Sequence, residues 1–198
     1  MEIKEPAIAY GKQKMTIEEY LAFENASPEK HEYYRGEVFA MARAKVNHNK
    51  IVANTQITIG AFLKGKPCKT YNSDQRIHIE KNSLFTYPDI SIICGEVITL
   101  NDDEMNALNP SVIIEVLSPS TRTYDRSYKF RSYRDIPTLK EYIILESESV
   151  GAEIAIFNQQ GFWEVREYKA TDAIPIQAIG MQLSLKDIYE GTTLIQSV

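Results

Sequence analysis

Residues 111–118, SVIIEVLS, leave a folding chain few choices. Between the two serines every residue but one is apolar, and most are β-branched. The run is too short for a long helix and lacks the alternation of a half-exposed strand. It reads as a central strand covered on both faces. The exception is Glu115. A carboxylate is costly to bury unless it is paired, hydrogen-bonded or bound to a metal. The same problem recurs in LFTYPDISIIC, residues 84–94, where Asp89 follows Pro88 and precedes Ile90, Ile92 and Ile93.

The rest of the chain supplies a frame for these two acids. Residues 1–14 show no periodicity and read as an arm, leaving 15–198 as one domain with no internal repeat or linker. Thr16 to Glu19 is a T-x-x-E capping pattern, which predicts a helix over Ile17–Asn25. HEYYRGEVFAM (31–41) predicts a hairpin turning at Arg35–Gly36. Ile51, Val52, Thr55, Ile59, Phe62 and Leu63 mark one face of a helix over 47–64, stopped by Gly65. Strands are expected at 68–80, 86–93 and 111–118. A helix follows over 125–134, then a strand at 141–146, a hairpin over 151–168 around Gln160–Gly161, and a short terminal helix. The fold class is therefore α/β, of the mixed α+β kind: a mixed sheet flanked by helices.

Composition narrows the function. At 43% apolar and 25% charged residues the chain has an ordinary globular make-up. No apolar run approaches the length of a membrane span, so no membrane partner is expected. The opening MEIKEPAIAYGKQK has no signal-peptide pattern, and Cys68 and Cys94 have no metal-ligand spacing. Two reduced thiols in a cytoplasmic protein are expected. The net charge of −5 argues against broad, non-specific nucleic-acid binding.

Two acids, each alone in an apolar strand, suggest one shared site, and a divalent cation is the usual reason to hold carboxylates together. The alternative places each at a strand end, solvated or salt-bridged. Asp125 and Lys129 stand four apart on the expected helix. They form either a surface pair worth about 0.2–0.5 kcal/mol or an ammonium aimed at the two acids. Around them Arg122, Arg126 and Arg131 alternate with Tyr124, Tyr128, Phe130 and Tyr133, a pattern that suits a polyanion backbone or, equally, a solvated amphipathic helix.

Taken together, MTIEEYLAFENASPEKHEYYRGEVFAM, YPDISIICGE and NPSVIIEVLSPSTRTYDRSYKFRSYRDIPTLKEYIIL resemble the Uma-type family of bacterial endonucleases. That family lies in the restriction-endonuclease-like superfamily with the PD-(D/E)XK motif. The resemblance covers roughly residues 15–190 and implies a restriction-endonuclease-like mixed sheet with an N-terminal helix–hairpin and a C-terminal β-hairpin as additions. It further implies DNA hydrolysis with Mg²⁺ or Mn²⁺ held by Asp89, Glu115 and the backbone carbonyl of Val116. Leu117 stands where the superfamily's usual lysine falls, so the resemblance moves that role to Lys129. It also marks Glu37 as an outer metal ligand, the alternative being an exposed hairpin charge, and His48 as a phosphate or water contact, the alternative being a capping or surface histidine. Asp74 and Arg76 are expected near the same cleft, and His31 and His78 are expected to be structural. A homodimer is implied, since two sites cut two strands. The alternative reading is a fold relative that has lost the chemistry and acts as a nucleic-acid-binding or assembly protein.

Overall fold

The computed structural model describes residues 14–41, 43–119 and 122–195, so most of the expected arm lies outside the described residues. Thr16 caps α1 (Ile17–Ala26): its hydroxyl accepts the Glu19 N–H, and the Glu19 carboxylate accepts the Thr16 N–H at 2.8 Å. The expected hairpin forms from β1 (His31–Tyr34) and β2 (Glu37–Ala40). Its two turn residues, Arg35 and Gly36, both take positive φ, at 47° and 96°, as a tight two-residue hairpin turn demands. Helix α2 (Val46–Leu63) buries Ile51, Thr55, Ile59 and Leu63 along one face.

The strand-rich block divides more finely than its pattern suggests. The stretch expected as one strand over 68–80 becomes β3 (Cys68–Asn72) and β4 (Arg76–Ile79). Between them the Asn72 side chain accepts the Asp74 N–H at 3.0 Å, a local turn bond that competes with the strand ladder. The strand expected over 86–93 likewise divides, between β5 (Leu84–Thr86) and β6 (Ile90–Cys94). Pro88 has no N–H for a ladder, and Asp89 sits in the break rather than in a strand. Two short strands with weak patterns went unforeseen, β7 (Thr99–Leu100) and β8 (Asp103–Ala107). SVIIEVLS forms β9 (Val112–Leu117), and β10 (Glu141–Glu146) falls where expected. The hairpin β11 (Gly151–Phe157) and β12 (Trp163–Lys169) follows. A further hairpin, β13 (Ala173–Ile176) and β14 (Met181–Ser184), precedes a short α4 (Leu185–Ile188).

These strands build two mixed sheets, not the single one expected. The first runs β2-β1-β5-β4-β8-β7 and the second β12-β11-β10-β9-β6-β3, with β13-β14 as a separate pair. β9 lies between β10, parallel, and β6, antiparallel. All six of its residues are buried, as a strand covered on both faces requires. One face of the second sheet packs Val112, Ile114 and Val116 against α2, α4 and the third sheet. The other packs Ile113 and Leu117 with Tyr133, Tyr142 and residues of the first sheet. The chain passes between the two large sheets at the β2–β3, β3–β4, β5–β6, β6–β7 and β8–β9 connections. Asp89 lies in the β5–β6 crossing.

The expectation of two free thiols fails. Cys68 and Cys94 are opposite each other in the antiparallel β3–β6 register and are joined by a disulfide. Their separation of 26 residues hides this from any local pattern. Among the described residues no helix is long and apolar enough to cross a membrane.

The fold predicts two unequal costs. Ile114 is fully buried, so Ile114→Ala should lower stability by about 2–5 kcal/mol. Thr16→Ala removes only the helix cap and should cost about 1 kcal/mol. Denaturant midpoints of the two variants should rank in that order.

Candidate active site

The helix expected after β9 is present but wound in two ways. Tyr124–Lys129 is a π-helical turn, in which the Phe130 N–H bonds back to the Asp125 carbonyl, and α3 (Phe130–Tyr133) continues it. Single π-turns recur at functional sites because they re-aim side chains that a regular helix would place elsewhere. Here Tyr124, Asp125 and Lys129 all point inward and are buried. The Tyr142 hydroxyl donates to the Asp125 carbonyl at 3.1 Å and ties the turn to β10.

Lys129 is the hub. Its Nζ lies 3.0 Å from Glu115 Oε1, 3.1 Å from Glu32 Oε1 and 3.5 Å from Asp125 Oδ1. The helical pair foreseen from spacing is therefore real, but it is the longest of three contacts and none is on the surface. Tyr133, one turn on, donates its hydroxyl to Glu115 Oε1 at 2.7 Å. Glu32 is held in turn by Thr86 Oγ1 at 2.5 Å and by the Tyr124 hydroxyl at 3.4 Å. Sequence reading missed Glu32. The test that picked out Glu115, an acid inside a strand otherwise apolar or aromatic, applies equally to HEYY.

Asp89 completes the arrangement from the sheet crossing. Its Oδ2 accepts the Val116 N–H at 2.8 Å, and its own N–H donates to Glu115 Oε2 at 3.3 Å. The two acids are thus locked to each other through the backbone. His48, in the first turn of α2, places Nε2 3.2 Å from Asp89 Oδ2. Asp89, Glu115, Val116, His48, Lys129, Asp125 and Glu32 all line one cavity of about 480 Å³.

Electrostatics follow from this crowding. Burial raises the Glu115 pKa to about 8; Asp89 and Asp125 push the same way and Lys129 opposes. Burial also works against the Lys129 ammonium, but Glu115, Glu32, Tyr133 and Asp125 together hold its pKa well above the usual lysine value. Burial, with Glu115 alongside, pushes Tyr133 well up, so its hydroxyl keeps the proton it donates. Burial lowers His48, yet the hydrogen bond and charge of Asp89 outweigh it and the net shift is upward.

Not every residue singled out from sequence joins this cavity. Glu37 is exposed at the start of β2 and does not line it, so it stands apart from Asp89 and Glu115. Arg122 and Arg126 also lie outside it and are paired with Glu146 at 2.6 and 2.8 Å, while Arg131 is exposed. Asp74 pairs with Lys30 at 2.5 Å. Arg76 is buried, where it bonds Asn106, Tyr87 and Asn25. Asp74 and Arg76 line a neighbouring cavity of about 290 Å³ rather than the first. His31 pairs with buried Glu24, and His78 stacks on Phe85 at 3.8 Å between ring centres, both in structural settings.

Among the described residues no group of three or more His, Cys, Asp or Glu side chains forms a ready metal site. The donor set near Asp89 nevertheless suits a hard cation. Mg²⁺ takes one or two carboxylates and completes its shell with water and phosphate. Asp89 Oδ1 has no hydrogen-bond partner among the described residues. In an extended strand the N–H and C=O of one residue leave by the same edge. The Val116 carbonyl therefore shares the edge from which its N–H meets Asp89.

Two mixed sheets thus frame a carboxylate pair and a buried lysine. A crystal structure from Anabaena variabilis, described as a "putative nuclease belonging to DUF820", shares the fold. Its TM-score is 0.71 at 18% identity, over 88% of this chain and 97% of that one. Residues 17–186 match the Uma2 family, "Putative restriction endonuclease", and this chain belongs to that family. Uncharacterized protein slr1290 of Synechocystis sp. is 35% identical over 90% of this chain and 93% of its own. Uncharacterized protein sll1609 of the same organism is 34% identical over 67% and 75%.

Two outcomes test the cluster. With metal chelated, folded Glu115 keeps a proton that the unfolded chain releases above its ordinary value of 4.5. A raised pKa means stability is fully present below 4.5 and is lost as pH rises through about 8. The melting temperature of Glu115→Gln should therefore gain on the parent between about pH 5 and pH 8; parallel curves would contradict the shift. Separately, Lys129→Met leaves buried carboxylates without their cation and should cost about 3–5 kcal/mol, read by denaturant titration. A loss of only tenths would mean a solvated surface pair instead.

Proposed function

We propose that this chain is a metal-dependent endonuclease that hydrolyses DNA phosphodiester bonds. The observation that carries this reading is the contact of Lys129 Nζ with Glu115 Oε1 at 3.0 Å, beside an Asp89 locked to the same glutamate. Asp89, Glu115 and Lys129 would be the family's acid–acid–lysine set, with the lysine supplied by a helix and not by the strand.

Asp89, Glu115 and the Val116 carbonyl would hold Mg²⁺ or Mn²⁺, which polarises a phosphate and lowers the pKa of an attacking water. The chain's own groups do the rest. Lys129 supplies a fixed positive charge where negative charge develops on the phosphate, and Glu32 and Asp125 keep it from drifting. Tyr133 orients the Glu115 carboxylate through its hydrogen bond. His48 holds Asp89 in place at Oδ2, and Oδ1 has no hydrogen-bond partner among the described residues. Leu117 sits on the same face of β9 as Glu115, since side chains two apart on a strand share a face. It is fully buried beside Tyr133.

Cleavage of duplex DNA with Mn²⁺ or Mg²⁺ tests this. Asp89→Asn and Glu115→Gln should abolish metal-dependent cutting. Lys129→Met, shown to be folded by circular dichroism, should lose about 10²-fold or more, the usual cost of removing one electrostatic stabiliser. Adding Leu117→Lys to that variant should restore part of the rate from the strand. A parent protein that cuts no DNA with either metal would favour the fold relative that has lost the chemistry.

A further inference from the structure

Between Glu37 and Asp74 the chain contains no acid at all. Residues 38–73 carry six lysines and arginines while the whole chain has a net charge of −5. Among the described residues none of the six forms an ion pair. Their settings differ. Lys50 donates to the Gly191 carbonyl, Lys66 lies over the Phe62 ring, and Lys69 donates to the Lys66 carbonyl. Arg43 and Lys45 are exposed, and Arg43 lines the cavity that holds Asp89 and Glu115.

The backbone adds to this charge. Helix α2 begins directly after Lys45, with no side-chain cap and no acid in its first turn. Its positive end therefore carries no cap or acid of its own. His48, in that same turn, reaches Asp89 at 3.2 Å. Exposed Arg43, two residues before Lys45, thus lines the same cavity as Asp89 and Glu115, together with Lys30 and the exposed Glu29.

We propose that Arg43 and Lys45, with the first turn of α2, hold the phosphate backbone of DNA beside Asp89. This rests on the nuclease reading and assigns the surface that grips the substrate. Repeating phosphates match uncompensated cations set next to a concave acidic site. A flat lipid surface would cover the rim without entering the cavity, although exposed Met41 and Val46 lie near it.

The test is binding of a short labelled DNA duplex by fluorescence anisotropy in chelator, across a range of salt. Arg43→Ala and Lys45→Ala should each lower the slope of log affinity against log salt by about 0.9. Both residues are exposed, so thermal melts should match the parent. The proposal is overturned by undetectable parent binding, or by a slope that falls only in Arg126→Ala/Arg131→Ala. Anionic vesicles captured through Arg43 and Lys45 in preference to DNA would overturn it too. Because binding is read without metal, the two readings separate. A protein that binds through Arg43 and Lys45 yet never cuts keeps this surface and rejects the nuclease. One that cuts, with slopes unchanged in both variants, keeps the nuclease and rejects this surface.

Discussion

One buried ammonium organises the centre of this molecule. Lys129 meets Glu32 from the first sheet, Glu115 from the second and Asp125 from its own turn, all within 3.5 Å. Attraction between such charges is strong in a medium of low dielectric, but so is the cost of removing each from water. The balance is favourable only if every group finds partners. The structure supplies them: Thr86 and Tyr124 to Glu32, Tyr133 and the Asp89 N–H to Glu115. The two sheets are consequently joined by a polar contact as well as by apolar packing.

The same arrangement sets the character of the cavity. Burial above all, opposed by Lys129 and aided by Asp89 and Asp125, makes Glu115 favour its protonated form when nothing else is bound. Acids form the floor and Arg43 stands among the lining residues at its exposed side. A site of this kind attracts cations to its floor and phosphates to its rim. Its geometry does not depend on flexible loops, because Asp89 is anchored to the Val116 backbone and Lys129 to a helical turn tied by Tyr142.

Much of this was legible beforehand. SVIIEVLS announced a central strand, EYIILE another, Thr16–Glu19 a helix start and Arg35–Gly36 a hairpin, because each signal is local and comes from backbone propensity or burial. Asp89 and Glu115 stood out because a lone acid in an apolar run is an anomaly at any level of description. What escaped was of two kinds. β7 and β8 lack a hydrophobic pattern, and Glu32 was passed over although its surroundings carried the same anomaly. The pairing of Cys68 with Cys94 depends on strand register, which no spacing encodes.

The sequence by itself determined which residues are unaffordable alone: two carboxylates in apolar runs and a lysine four residues after an aspartate. It also determined that β9 must be central. Only the tertiary structure decided who pays. Pro88 breaks the strand and carries Asp89 across from one sheet to the other, and the π-turn rotates Lys129 inward until it meets acids from both. These are contacts between residues up to 97 positions apart in the chain, from Glu32 to Lys129. They arise because closing the two sheets on each other brings acids from both to the buried Lys129, beside the Asp125 of its own turn.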